Sequence, residues 1–337
     1  AGAAAPVNLA FAGDQLTITT YGGAYAASLR GAIFEPFSKA TGIKITEDEY
    51  NGEIAKIRAM VQSNTVSWDV VDASPELAMQ LCAEGYAETI DWKKLGLDQF
   101  SFIGGDQNDC AVPNVVSAAV IAYDKDKLPN GPKTIADLFD TKKIPGKRGL
   151  NKAPRINLEW ALIADGVPFN DVYKVLRTPE GVDRAFRKLD MIKGDVVWYS
   201  TFAQAAQLLA DGQVVMTSVL NGRIYDAVKN AGKHFEIMWD ARQLLPGVWM
   251  IPKGSQRLDA AYKFIAYASS PQALANLAQK MPYGPANKAA IALVDPAMRP
   301  NLPTASDHTG SPLLRDAAFW AEKSDELNQR FTAWLAK

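Results

Sequence analysis

The stretch Gln15–Phe37, QLTITTYGGAYAASLRGAIFEPF, changes its period in the middle. Leu16 and Ile18 alternate with threonines, the period of two expected of a half-buried strand. Further on, Leu29, Ile33 and Phe37 recur at i, i+4 and i+8 and so share one helical face, with Gly42 placed to end the helix. The five residues at the handover, Tyr21-Gly22-Gly23-Ala24-Tyr25, read as a phosphate cradle, a plain turn or one wall of a pocket. The lysine of a phosphate-binding loop is missing. Paired glycines let the backbone turn tightly and approach a ligand, and tyrosines supply flat apolar walls with a polar tip.

The same alternation continues outward. IKITED reads as a strand, GEIAKIRAMVQS as an amphipathic helix, WDVVDASP as a buried strand stopped by Pro75, and PELAMQLCAEG as a helix ended by Gly85. This βαβαβα order implies a mostly parallel sheet with helices on its faces. A second cycle begins near Ala118–Tyr123 and runs through strands at DVVWYS, VVMTSVLNG and FEIMWD, each separated from the next by helical periodicity. The tail is mostly helical and ends in an amphipathic stretch carrying Leu314, Phe319, Trp320, Leu327 and Phe331.

A length of 337 residues suggests two domains. The net charge of −1 offers no field for nucleic acid or an anionic membrane, and no apolar run reaches the roughly 18 residues of a membrane span. The Ala-rich opening, AGAAAPVNLAFAGD, resembles the mature overhang of a secretory leader. In an exported chain the two cysteines, Cys82 and Cys110, are expected to form a disulfide; the alternative is two separate buried thiols. Catalytic motifs are absent: there is no G-x-S-x-G elbow, P-loop, H-E-x-x-H or G-x-G-x-x-G after a strand. The two histidines, His234 and His308, stand near turns, and the spacing of the cysteines, with only these two histidines, argues against a C-x-x-C redox motif or a zinc cluster. The expectation is a protein with no cofactor, no metal and no catalytic residue.

Polar and aromatic residues gather instead at strand-to-helix junctions, where open α/β sheets bind ligands. The candidates are Tyr21, Tyr25, Ser74, Arg155, Trp198, Tyr199, Asn221, Arg223, Asp226, Asp240, Arg242, Trp249 and Tyr283. Arginine's forked donors match a carboxylate.

At these residues the chain resembles the periplasmic substrate-binding proteins of ABC importers, in the spermidine/putrescine-binding branch. The resemblance runs nearly full length through EPFSKATGIKI, WDVVDASP, LLADGQVVMTSVLNGRIYDAV, AAYKFIAYASSPQALANLAQ and MPYGPANKAA. It implies an α/β fold of two lobes (type II-like), each a mixed, mostly parallel sheet flanked by helices, joined by crossing strands and binding a solute between them. The lobes are expected at 14–122 plus 246–337 and at 123–245. Carried over, Tyr21, Tyr25, Ser74 and Tyr283 would contact ligand. The branch clamps its polyamine with acids, and here Ala153, Ile156 and Gly247 stand where those acids are expected. Burying a polycation without paired carboxylates costs several kcal/mol per charge.

The resulting expectation is a periplasmic receptor of a Gram-negative cell, exported by a removed signal peptide. Its ligand is expected to be a small carboxylate-bearing solute, a γ-aminobutyrate-like amino acid or an organic acid. Arg155, Arg223 or Arg242 would hold the carboxylate, and Asp226 or Asp240 an ammonium. Its partners are then the solute and the permease subunits of an ABC importer, with the receptor itself a monomer that binds no nucleic acid. The rival readings are a polyamine receptor, a ferric-ion binder and an enzyme on the same scaffold; no Tyr-Tyr pair favours iron.

Overall fold

A computed structural model describes residues 15–337; the Ala-rich opening and its leader reading lie outside the described residues. Ten strands form among the described residues: β1 Gln15–Thr20, β2 Lys44–Glu49, β3 Val70–Ala73, β4 Ala111–Asp124, β5 Arg148–Asn151, β6 Val196–Tyr199, β7 Met216–Leu220, β8 Phe235–Met250 and the two-residue β9 Gly284–Pro285 and β10 Leu313–Leu314. The chain divides into two compact units. Unit 1 holds the described residues up to Asn114, with Gly247–Lys280 and Pro285–Leu293; unit 2 holds Val115–Pro246, Met281–Gly284 and Val294–Lys337. The long strands β4 and β8 each belong partly to one unit and partly to the other.

In unit 1, β1 lies between β2 and β3, parallel to both, and the end of β8 joins β3 antiparallel, with Asp72 opposite Trp249. Unit 2 repeats the plan. Its β5 lies between β6 and β7, parallel to both, and β4 joins β7 antiparallel. In each unit the first strand of the cycle is therefore central, and the second and third flank it. The chain reverses direction across the sheet between the first and third strands, and there the carboxyl ends of the strands open a crevice for ligands.

The helix seen in the opening stretch forms as Gly23–Leu29 and Glu35–Thr41, joined by a π-helical turn at Arg30–Phe34. Gly42 ends it in the left-handed conformation, as the sequence predicts. Leu29, Ile33 and Phe37 are fully buried, and Phe37 meets Phe264 edge-on at 5.4 Å.

The final helix departs from the expected boundaries. The segment 294–337 packs in unit 2, whereas the sequence reading placed it with the first lobe. The reason is aromatic: Phe331 lies 5.6 Å from Trp198 and 6.2 Å from Phe186, and Trp334 lies 5.7 Å from Trp198. An amphipathic period shows that a helix buries one face; it does not name the surface that covers it.

Cys82 and Cys110 form a disulfide with Cα atoms 5.7 Å apart, tying the Pro75–Ala83 helix to the start of β4. The bridge closes a sequence separation of 28 residues, and chain entropy assigns such a loop about 3–4 kcal/mol. Replacing both cysteines by serine is expected to lower the unfolding free energy in urea by about that amount, and an unchanged urea midpoint would show that the link contributes nothing.

Candidate functional site

The crevice ends of β1 and β3 place two loops of unit 1 side by side. After β1, Gly22 takes φ 70° and ψ −168°, a conformation only glycine adopts readily, and Gly23 also has positive φ. A Cβ on Gly22 would come within 2.4 Å of the Glu49 carboxylate. This turn leaves Tyr21 partly exposed, its ring stacked on Tyr50 with centroids 5.1 Å apart. Tyr50 is buried, donates its hydroxyl to the Asp72 carbonyl at 2.7 Å and meets Trp68 edge-on. After β3, Ser74 caps the Pro75–Ala83 helix, its hydroxyl accepting from the Leu77 amide at 3.4 Å.

Between these loops sits Asp72, 2% exposed. Its carboxylate accepts from Asn114 Nδ2 at 2.8 Å. Burial pushes its pKa up to about 7, against the opposing effect of Asn114 and Tyr25. Tyr21 and Tyr50 are pushed above the ordinary phenol range, chiefly by desolvation, with the Asp72 charge contributing to both. Trp249 is fully buried, edge-on to Phe264 at 5.4 Å, and among the described residues its Nε1 has no acceptor. Gly247 closes the group: a Cβ there would lie 2.5 Å from Asn114 Oδ1 and 3.5 Å from Asp72 Oδ1. The sequence reading missed Tyr50, Asp72 and Asn114. Only the aspartate inside the otherwise apolar VVDA strand carried a signal, since a buried carboxylate needs a reason.

Unit 2 presents the loops after β5 and β7. The first, Asn151–Ile156, is held by buried Asn157, whose Nδ2 donates to the Asn151 and Ala153 carbonyls at 2.7 and 2.8 Å. It ends at Ile156 with φ 75°, a strained value for a β-branched residue, where the Ile156 carbonyl accepts from Gln243 Nε2 at 2.8 Å. Arg155 is half-buried in this loop; its guanidinium lies 5.5 Å from the Trp320 ring and donates to Ser324 Oγ at 3.0 Å. After β7, Asn221 is buried and structural: its Oδ1 accepts from the Ala118 amide at 3.0 Å and its Nδ2 donates to the Pro282 carbonyl at 2.6 Å. Tyr283 packs on bare Gly222, where a Cβ would come within 2.8 Å of its ring. Arg223 follows, exposed on the first turn of the Asn221–Ala231 helix, and among the described residues no hydrogen bond or ion pair engages it.

The remaining predicted residues do other work. Trp198 packs on the final helix, and Tyr199 is buried with its hydroxyl bonded to Ser218 at 2.6 Å. Arg242 is buried and donates to the carbonyls of Pro303, Trp239 and Gly310, a structural use that the sequence reading took for carboxylate binding. Asp240 accepts the Ile135 amide at 2.9 Å, and exposed Asp226 accepts from Asn230 one turn on at 2.6 Å. These contacts engage Trp198, Tyr199, Arg242, Asp240 and Asp226 within unit 2. Among the described residues no cluster of three or more metal-ligating side chains occurs, and no helix is long and apolar enough to cross a membrane.

Two α/β units of the same plan, each offering loops at the crevice of its sheet, are the architecture of a solute-binding protein. The chain belongs to the bacterial extracellular solute-binding protein family, whose model matches residues 32–304. It is 43% identical over 325 residues to the gamma-aminobutyric acid-binding protein of Pseudomonas aeruginosa, covering 96% of this chain and 92% of that one. Identity to the spermidine/putrescine-binding periplasmic protein of Salmonella typhimurium is 25% over 302 residues, covering 86% and 83% of the two chains. A solved GABA receptor superposes with a TM-score of 0.86 at 36% identity, covering 96% of this chain and 98% of that one. The binding protein MotA of A. tumefaciens B6, in complex with glucopine, gives 0.86 at 31% identity, covering 95% and 99%.

The Gly22 turn yields a direct test. Gly22→Ala is expected to cost about 1–3 kcal/mol, from the backbone region that only glycine enters readily, with the exposed Glu49 carboxylate moving aside, and to weaken any ligand that touches Tyr21 or Tyr25. Wild-type melting temperature and ligand affinity in this variant would show that the turn is not constrained.

Proposed function

We propose that this chain is the periplasmic receptor of an ABC importer for a small solute with one carboxylate and one ammonium group, of the γ-aminobutyrate kind. It captures the solute without chemical turnover and acts as a monomer that delivers it to the permease subunits. The observation that carries the reading is the set of charges at the crevice loops. Unit 1 supplies an acid, Asp72, beneath tyrosines, with no cation described against it. Unit 2 supplies Arg223, exposed and unengaged among the described residues, and a β5 loop with Ala153, Arg155 and Ile156 where a polycation receptor needs acids. A solute carrying an amine and a carboxylate offers a partner of opposite sign to each of these groups; a diamine offers none to the arginines.

Names of the relatives point the same way, since those with the greater identity bind gamma-aminobutyric acid and the polyamine receptors are more distant. Tyr21, Tyr25 and Ser74 of unit 1 and Tyr283 of unit 2 then supply apolar walls and orienting hydroxyls, and fully buried Trp249 backs the unit 1 loops. Arg223 is the first choice for the carboxylate and Arg155 the second.

Calorimetric titration distinguishes the possibilities. γ-Aminobutyrate is expected to bind and to raise the melting temperature by mass action, and putrescine is not. Arg223→Ala is expected to weaken γ-aminobutyrate by at least about 2 kcal/mol, roughly 30-fold, as expected for truncating one partner of a desolvated charge pair. Binding of putrescine alone, or full affinity in both Arg223→Ala and Arg155→Ala, would overturn the reading.

A further inference from the structure

Gly222 is a glycine that its own backbone does not require. It is the second residue of the eleven-residue helix Asn221–Ala231 and is not among the glycines with positive φ, so its conformation is open to any residue. A helix favours alanine over glycine. What glycine provides here is space. A Cβ on Gly222 would lie 2.8 Å from Tyr283 Cε1 and 3.2 Å from both Cζ and the hydroxyl oxygen, whereas carbon atoms in ordinary contact stay roughly 3.5–4.0 Å apart. The loop that carries Tyr283 is held at the same place. Met281–Gly284 belongs to unit 2, although the chain up to Lys280 and from Pro285 belongs to unit 1. Buried Asn221, next to Gly222, donates Nδ2 to the Pro282 carbonyl at 2.6 Å while its Oδ1 accepts the Ala118 amide of β4 at 3.0 Å. The Tyr283 amide donates to the Met281 carbonyl at 2.7 Å. Gly284, the residue after the ring, is closely approached as well, with Thr304 Oγ1 2.6 Å from where its Cβ would stand. The buried Tyr283 ring is thus fixed by its backbone on both sides and by the bare Cα of Gly222.

We propose that Gly222 is a positioning residue: its missing side chain seats the Tyr283 ring against the helical turn that carries Arg223, and affinity for the solute depends on that seat. This rests on the proposed function, in which Tyr283 and Arg223 are ligand residues. Arg223 is the next residue on the same first turn, so one short stretch of backbone places both the ring and the guanidinium. A ring ordered in this way during folding costs little further entropy when the solute arrives. Alanine at 222 has two effects. It strengthens the helix, and it forces the ring back by about 1 Å, from 2.8 Å to ordinary contact. Only the second effect needs the ring, so removing Tyr283 separates the two.

The test is a double-mutant cycle between Gly222→Ala and Tyr283→Ala, read both as dissociation constants and as urea midpoints. γ-Aminobutyrate and putrescine serve as separate probes, with affinity taken from calorimetry or, where binding is weak, from NMR titration. Gly222→Ala is expected to weaken γ-aminobutyrate about tenfold, and Tyr283→Ala by at least as much. In the Tyr283→Ala background the same change at 222 is expected to leave the dissociation constant within about twofold and to raise the urea midpoint, as alanine does in a helix without a clash. The double variant is expected to fold even if Gly222→Ala alone does not, and its midpoint then reads the contact without any solute. If putrescine binds in place of γ-aminobutyrate with the same coupling, the ligand assignment fails while the role of Gly222 stands. Wild-type affinity in Gly222→Ala or in Tyr283→Ala, an equal loss from Gly222→Ala in both backgrounds, a double variant that does not fold, or binding of neither amine overturns the role.

Discussion

A carboxylate taken out of water among neutral donors is the constraint around which the unit 1 site is arranged. Asp72 carries a desolvation cost that Asn114 and Tyr25 only partly offset, and its ionisation is displaced to about neutrality. Several features of the sequence exist to permit this. Gly247 must lack a side chain, because a Cβ would strike Asn114. Gly22 must take a conformation that swings the β1 loop so that Tyr21 lies on Tyr50, and Tyr50 in turn holds the Asp72 carbonyl. The disulfide fixes the Pro75–Ala83 helix to the strand that brings Asn114.

The same logic explains how a polyamine-like chain can lack polyamine acids. At position 247, where the resemblance places an acid, the backbone is packed too tightly against Asn114 for any side chain. A carboxylate is nevertheless present nearby, one strand over at Asp72, and it is buried. Each unit separately reproduces a central first strand flanked by the second and third, so one rule of sheet topology locates the ligand loops in both.

The fold was legible because period-two and period-3.6 patterns alternate cleanly from Leu16 onward, and because Gly42 and Pro75 mark helix ends in ways that depend only on local backbone chemistry. The position of Tyr21 and Tyr25 at the end of β1 was legible for the same local reason. Arg242 was not: an arginine buried by three carbonyl acceptors and one that awaits a carboxylate have the same sequence signature, a basic residue after an apolar strand. The packing of Trp198 was not legible, because only the final helix, more than a hundred residues away, shows what its ring meets. Asp72 and Asn114 are 42 positions apart and meet only when β3 and β4 are both in place, so no short motif could join them.

The proposed receptor needs one cationic and one anionic end on the same small solute. Competition binding at pH 8 with γ-aminobutyrate, butyrate and butylamine, which share a chain and differ only in their charged ends, tests it most directly. The prediction is that butyrate and butylamine each bind at least about 30-fold more weakly than γ-aminobutyrate, the loss of one charge pair in a desolvated site. Butylamine or butyrate binding as tightly as γ-aminobutyrate would contradict the claim.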